Sequence, residues 1–147
     1  MKKIITLIAF ALFLSAGTYA ATNPAIPASV SREFGQHFTR AKEVSWETVK
    51  DLYKATFSIN GKTLFAVYDN KGDLVAVAHN LSPQNLSANL RKEILTTYAD
   101  FWITDLFSYH SADDHSLFIT LESPDRITVL QSVGQDTWTV YRSSVKS

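Results

Sequence analysis

Apolar and polar residues alternate most clearly between residues 51 and 79, where three segments rich in β-formers are separated by two turn signals. The dipeptide Asn60-Gly61 tolerates positive φ at both central positions of a type I′ turn, so it predicts a tight hairpin. The segment Asn70-Lys71-Gly72 predicts the next turn. Val44, Trp46 and Thr48 alternate with polar residues just before this meander. The pattern therefore predicts four consecutive strands.

A helix is predicted before these strands. Val30, Phe34 and Phe38 recur at a spacing of four after Pro27, which places them on one face of an amphipathic helix. The strands can cover that face, and we expect Phe57 to lie at the centre of the contact. Trp46 is in phase with the same side.

The second half of the chain shows the same order of elements. Ser82 can cap a helix that Pro83 begins, and the apolar stripe of this helix is Leu86, Leu90, Ile94 and Leu95. Alternating segments at 101–109, 117–121, 127–133 and 137–142 predict four more strands, with Trp138 facing the helix. When the first half is shifted by 64 residues, its apolar strand positions align with those of the second half. For the last strand of each half the shift is 63 residues.

These patterns predict an α+β protein. We expect two tandem repeats, each a helix plus a four-stranded antiparallel meander, forming a curved sheet with the helices on one face. The predicted boundaries are 27–81 for the first repeat and 82–147 for the second.

The first 20 residues have the pattern of a secretory signal peptide. Lys2 and Lys3 precede the apolar stretch Ile4 to Leu14, and Thr18-Tyr19-Ala20 fits a cleavage site before Ala21. The apolar stretch is shorter than the ~20 residues that a membrane-spanning helix needs. We therefore expect a periplasmic or secreted protein without a membrane span after cleavage, and residues 21–26 as a tether.

The charge and cysteine content narrow the possible functions. Acidic and basic residues are equal at 14 each, and loss of Lys2 and Lys3 leaves a slightly acidic mature chain. Nucleic-acid binding needs clustered Lys and Arg, so this balance argues against it. The chain has no Cys, which excludes a thiol enzyme and leaves core burial as the source of stability.

The strand face predicted to point away from the helices is the most informative surface. An antiparallel sheet covered on one side should be polar on the other. Here the expected outward positions mix Thr with aliphatic and aromatic side chains, as protein-binding surfaces do. Packing against a second copy, or simple β-propensity, is the alternative. The candidate partner-binding residues are Leu52, Lys54, Thr56, Tyr68, Phe118, Thr120, Leu130 and Tyr141.

The segment from His110 to His115 is the one cluster that resembles a metal site. If Ser111 to Asp114 form a hairpin loop, His110 and His115 face each other and could share a divalent metal with Asp113. A solvated polar turn is the commoner explanation of such a segment. We therefore predict no metal and no cofactor, and keep these three residues as weak candidates. Nucleophile-elbow and phosphate-loop motifs are missing from the sequence, so no catalytic residue is predicted.

A family resemblance covers mainly residues 27–79. The segment resembles the PepSY-like family of exported Bacteroidetes-type proteins, which is similar to the β-lactamase-inhibitor-protein fold. The resemblance implies a non-enzymatic binding module, and inhibition of another protein is one form of that role. It rests on Pro27, Val30, Phe34, Phe38, Ala41-Lys42, Val44, Trp46, Tyr53-Lys54-Ala55-Thr56-Phe57, Asn60-Gly61-Lys62, Val67-Tyr68-Asp69 and Gly72.

We therefore expect a binding module for a protein or peptide of the cell envelope, acting through the open sheet face. One alternative is an enzyme or metal-dependent protein that uses the His110 to His115 loop. Another is a protein whose sheet holds a small apolar ligand. An enclosed pocket would favour the small ligand, and an open strand face would favour the protein partner.

Overall fold

The computed structural model describes residues 24–134 and 136–147. The predicted signal peptide at 1–20 and residues 21–23 of the predicted tether lie outside this range. Within it, neither α-helix has the length and apolar character needed to cross a membrane. The chain divides into two compact units between Ala78 and His79.

From residue 24 onward, the first unit contains one helix and strands that are neighbours in chain order. Strands β1 and β2 pair antiparallel, as do β2 and β3. The fourth strand crosses the division, so that its last two residues belong to the second unit. The elements are α1 (Ala28–His37), β1 (Lys42–Val49), β2 (Leu52–Ile59), β3 (Lys62–Asp69) and β4 (Leu74–Asn80).

The second unit repeats the order of one α-helix followed by four strands, with a short 3₁₀ helix at Pro83–Asn85 before them. Its strands pair antiparallel, each with the next one in the chain. The elements are α2 (Ala88–Thr97), β5 (Trp102–Ser111), β6 (His115–Glu122), β7 (Arg126–Val133) and β8 (Thr139–Val145). The α+β class is confirmed. The tandem-repeat interpretation and the boundaries 27–81 and 82–147 stay predictions.

Both turn signals of the first meander act as predicted. Asn60 and Gly61 have φ of 52° and 76° between β2 and β3, the left-handed values that a type I′ turn requires. Gly72 has φ of 94°, and a Cβ added there would lie 3.1 Å from the Ser29 carbonyl oxygen. Both its conformation and the proximity of α1 therefore require glycine at position 72.

The core of the first unit is built around Phe34 of α1. The ring centroid of Phe34 lies 5.0 Å from Phe57, 5.2 Å from Trp46 and 5.4 Å from Phe38. These contacts confirm that Phe57 and Trp46 face the helix. The buried members of this core are Val30, Phe34, Ala55, Phe57, Ala66 and Tyr68.

The core of the second unit connects α2 to the start of β8 through Trp138. The Trp138 indole N–H donates a hydrogen bond of 3.1 Å to the Leu90 carbonyl oxygen. The Trp138 backbone N–H and the Thr137 hydroxyl both donate to the Glu93 carboxylate. Trp138 therefore faces the helix, as predicted. The buried members of this core are Leu86, Leu90, Ile94, Leu106, Leu117, Ile119, Leu121, Leu130 and Trp138.

The second α-helix begins later than predicted, because a short 3₁₀ helix precedes it. Ser82 and Pro83 begin the 3₁₀ helix, closed by a capping box with Asn85, and Leu86 is then extended. Ser87 is the true N-cap of α2, since its hydroxyl accepts a hydrogen bond from the Leu90 N–H. Leu95 does not belong to the buried stripe. It is 74% exposed, because its neighbour Ile94 already occupies the sheet-facing direction of the last turn.

We predict that Phe57→Ala strongly destabilises the protein. Phe57 is 2% exposed and contacts both Phe34 and Phe38, so truncation removes buried area and leaves a cavity. The expected loss is ~3–5 kcal/mol of unfolding free energy, measurable by urea denaturation. Val49→Ala, on the exposed strand β1, is the matched control and should change stability by less than about 0.5 kcal/mol. Equal midpoints for Phe57→Ala and the parent would contradict the packing described here.

Candidate functional site

The sheet face of the second unit opposite α2 carries a contiguous group of aromatic rings. Phe118 of β6 lies at its centre, stacked on Phe107 of β5 at 5.5 Å between ring centroids. Tyr141 of β8 meets Phe118 edge to face at 5.5 Å, and Tyr109 does so at 6.0 Å. We call these four residues the aromatic face.

Backbone register places these rings on one side. Phe107 is directly opposite Phe118, and Leu106 is opposite Ile119. Opposed residues of an antiparallel pair share a face, and adjacent residues alternate. Leu106 and Ile119 belong to the core beneath α2, so Phe107 and Phe118 point to the other side. The aromatic face is therefore not covered by α2, although Phe107, Tyr109 and Phe118 are themselves buried.

Tyr68 and Leu130, predicted to lie on the outward face, belong to the helix side instead. Tyr68 is opposite Tyr53, and Leu130 is opposite Ile119, and both join the cores beneath the helices. The Tyr68 hydroxyl shares a 2.9 Å hydrogen bond with His37 Nδ1 of α1. Burial, and secondarily Glu33, raises the pKa of Tyr68 to about 12.

The sides of β3 were predicted wrongly because the two-residue turn before it fixes which residues of β2 and β3 oppose each other. Asn60-Gly61 places Ile59 opposite Lys62, so every odd-numbered residue of β2 opposes an even-numbered residue of β3. With Phe57 facing the helix, the residues of β3 that face it are Leu64, Ala66 and Tyr68. Phe65 and Val67 lie on the opposite side of β3, since they oppose Thr56 and Lys54.

Leu52, Lys54 and Thr56 do lie on the face of β2 away from α1, since they alternate with the core residues Ala55 and Phe57. Lys54 is only 5% exposed. Its ammonium forms an ion pair of 3.3 Å with Glu47. It also lies 5.0 Å above the Phe65 ring, so this buried cation has both a counter-ion and an aromatic partner.

The predicted partner-binding residues are less accessible than an open face would require. Tyr68 and Leu130 are fully buried against the helices, and Leu52, Lys54 and Phe118 are buried on the other side. Thr56, Thr120 and Tyr141 are half-buried. Truncation of Tyr68 or Phe118 to Ala would therefore remove buried packing and lower stability. Tyr141, whose ring contacts the Phe118 ring, is the accessible aromatic residue of the aromatic face.

Phe107 and Tyr109 are residues of the aromatic face that the sequence prediction missed. Each is almost completely buried, and burial is the main cause that raises the pKa of Tyr109 to about 12. The signal that could have found them is the cross-strand pairing. Once His110 and His115 are placed opposite each other, Phe107 must oppose Phe118 and Tyr109 must oppose Ser116.

The predicted meeting of His110 and His115 is confirmed. The two residues are cross-strand partners at the loop end of the β5–β6 hairpin, with ring centroids 4.0 Å apart. His79, the first residue of the second unit, stacks on His110 at 6.2 Å. We call these three residues the histidine stack. Asp113 is exposed in the loop between the strands.

The histidine stack does not form a metal centre in the described structure. No group of three His, Cys, Asp or Glu side chains among residues 24–134 and 136–147 is placed to hold a metal ion. The His110 and His115 rings contact each other, and His110 Nε2 is hydrogen-bonded to Ser108 Oγ at 2.8 Å. Burial, then His115 and then His79 lower the pKa of His110, which favours the uncharged ring at neutral pH.

A small open pocket adjoins the histidine stack. It is lined by His115, Ser116, Leu117 and Gly134 and has a volume of about 170 Å³. Sites for drug-sized ligands usually occupy ~300–1,000 Å³. This pocket therefore offers little support for the alternative of a small apolar ligand.

Comparison with known proteins identifies the fold. No protein-family model and no curated protein sequence matches this chain. Several solved structures do. A DUF2874 family protein from Bacteroides ovatus has a TM-score of 0.71 at 18% identity, covering 83% of this chain and 89% of its own. A BLIP-like protein from Bacteroides fragilis has a TM-score of 0.68 at 14% identity, covering 84% and 89%.

A third similar structure, from Bacteroides eggerthii, is described as a candidate periplasmic protein. It has a TM-score of 0.73 at 14% identity and covers 83% of this chain and 90% of its own. These similarities show a BLIP-like fold, that is, one like the β-lactamase inhibitor protein. They support the periplasmic or secreted location predicted from the sequence. They do not show the PepSY-like relationship, which stays a prediction.

We predict that Phe118→Ala is destabilising by ~3–5 kcal/mol, because Phe118 is 3% exposed and contacts three other aromatic rings. Thermal unfolding followed by circular dichroism measures the effect. Val133→Ala, at the exposed end of β7, is the control and should behave like the parent. A Phe118→Ala protein that melts within about a degree of Val133→Ala would show that the aromatic face carries no packing energy.

Proposed function

We propose that this chain is a non-enzymatic binding module of the bacterial envelope, and that it recognises an apolar segment of a protein or peptide at the aromatic face. The observation that carries the proposal is the chemistry of that face. Four aromatic side chains lie on the side of strands β5, β6 and β8 that α2 does not cover. Charged side chains would be expected on a face that met only water.

Tyr141 is the residue expected to contact the partner. It is half-buried and on the last strand, and its ring rests on the buried ring of Phe118. A ring held in this way loses little conformational freedom on binding, which is one reason why tyrosine is frequent at interface hot spots. Thr120 lies next to Phe118 on β6 and, half-buried, offers a hydroxyl beside the rings. Phe107 and Tyr109 support this surface from β5.

The likeness to a BLIP-like protein supports a specific form of the proposal, in which binding inhibits an envelope enzyme. A purified serine β-lactamase is the direct probe. Its rate of β-lactam hydrolysis would be measured with and without an excess of the mature chain. An unchanged rate would remove β-lactamase as the target, while binding at the aromatic face would be tested separately.

The test of binding uses a photo-crosslinking phenylalanine analogue at position 141, which replaces one aromatic ring by another. We expect it to crosslink a discrete partner in envelope preparations. The same analogue at Leu95, exposed on α2, is the control for non-specific capture. Truncation of an interface anchor typically costs ~2 kcal/mol or more, so Tyr141→Ala should weaken retention of that partner by about thirtyfold.

Two results would contradict the proposal. One is capture of the same partner with equal yield from positions 95 and 141. The other is a folded Tyr141→Ala protein that retains the partner as well as the parent does. Either result would place binding on another surface of the chain.

A further inference from the structure

Three imidazole rings lie together at one end of the second unit, and the proposed binding function does not use them. His79 stacks nearly parallel on His110, with 14° between the ring planes. The His115 ring also contacts the His110 ring, with 4.0 Å between the ring centroids and 34° between the ring planes. Three of the four histidines of the chain are therefore in one cluster.

This arrangement penalises protonation. An imidazolium ion repels a second one at contact distance, and partial burial removes the water that would stabilise the charge. Both effects act on His110, whose pKa is lowered by burial first and by His115 and His79 next. Ser108, the hydrogen-bond partner of the His110 ring, is uncharged and itself buried.

The titratable groups of the hairpin beside the stack are Tyr109, Asp113 and Asp114. Tyr109, next to His110 in the chain, is neutral in this pH range, as tyrosine ordinarily is, and burial raises its pKa further. Asp113 and Asp114 lie in the loop, where the Ser116 hydroxyl donates a hydrogen bond to the Asp114 carboxylate. A carboxylate close to a ring would favour its charged form and so oppose the repulsion. The end of β7 beside Ser116 is the uncharged pair Val133 and Gly134.

We propose that the histidine stack is a proton-sensitive latch, closed at neutral pH and opened in mild acid by charge repulsion at the end of the β5–β6 hairpin. His110 and His115 form the cross-strand pair that adjoins the loop, which is closed by a hydrogen bond from the Ser111 N–H to the Asp114 carbonyl oxygen, so their repulsion acts on the loop end of the hairpin. The next pair inward is Tyr109 with Ser116, and Tyr109 is part of the aromatic face. Opening therefore disturbs the border of that face.

The direction of the pH dependence follows from linkage. In the unfolded chain His110 has its ordinary pKa, near ~6.5. In the folded chain its pKa is lower. The unfolded state therefore binds protons more readily, and the stability of the folded state decreases as pH falls through that range. The loss is expected between about pH 7 and pH 5.

The test combines histidine titration with amide hydrogen exchange, both followed by NMR on the folded parent protein. We expect His110 to titrate below the ordinary histidine range. Below about pH 6, the protection of the Tyr109 and Ser116 amides should fall several-fold more than that of amides in the β6–β7 ladder. In His115→Gln, the His110 titration should move back toward the ordinary value and the loss of protection in acid should shrink.

Two controls isolate the latch. His37→Gln removes the histidine of the first unit, which contacts Tyr68, and should leave the acid response of β5–β6 unchanged. Asp113→Asn removes a loop carboxylate and should leave the loss of protection in place or increase it. The proposal is overturned if His110 titrates at an ordinary pH in the parent, or if His115→Gln keeps the full acid response.

Discussion

The constraint on which this structure depends is that opposed residues of an antiparallel pair point to the same side of the sheet. Short turns fix which residues are opposed, so a few turn residues decide the direction of every side chain that follows. Asn60-Gly61 places Tyr68 beneath α1 in this way. The pairing of β6 with β7 places Leu130 beneath α2, and the same alternation turns Phe118 away from that helix.

Among the residues that the structure describes, a single α-helix packs on one side of the strands in each unit, and the two sides therefore differ in what they carry. The side beneath the helix holds aliphatic and aromatic core residues around Phe34 in the first unit and Trp138 in the second. The other side keeps apolar groups together with buried polar ones. Lys54 illustrates this mixture, because its charge is balanced by Glu47 and its ammonium lies above Phe65. Stability without disulfides relies on both sides.

Much of the fold could be predicted from local sequence signals. The helix stripe of Val30 and Phe34, the Asn60-Gly61 turn and the facing pair His110 and His115 follow from spacing alone. The second helix start was harder, because Ser82 and Ser87 are both good N-caps, and only the extended conformation of Leu86 separates the 3₁₀ helix from α2. Local propensity does not distinguish these two serines.

The candidate site was predicted less well, for two physical reasons. The side of Tyr68 and Leu130 was assigned by alternation within each strand, without carrying the register across the turns. The exposure of Phe118 was inferred from its direction, although direction does not determine accessibility. Phe107 and Tyr109 provide much of the packing around Phe118, and this contact requires the pairing of β5 with β6.

The order of the strands bears on how the chain folds. In each unit every strand lies beside the next one in the sequence, so closing each hairpin confines only a short loop and costs little chain entropy. Folding rates rise as contacts become more local. A β-rich protein of this kind can therefore assemble hairpin by hairpin, with each completed strand serving as the template for the next one.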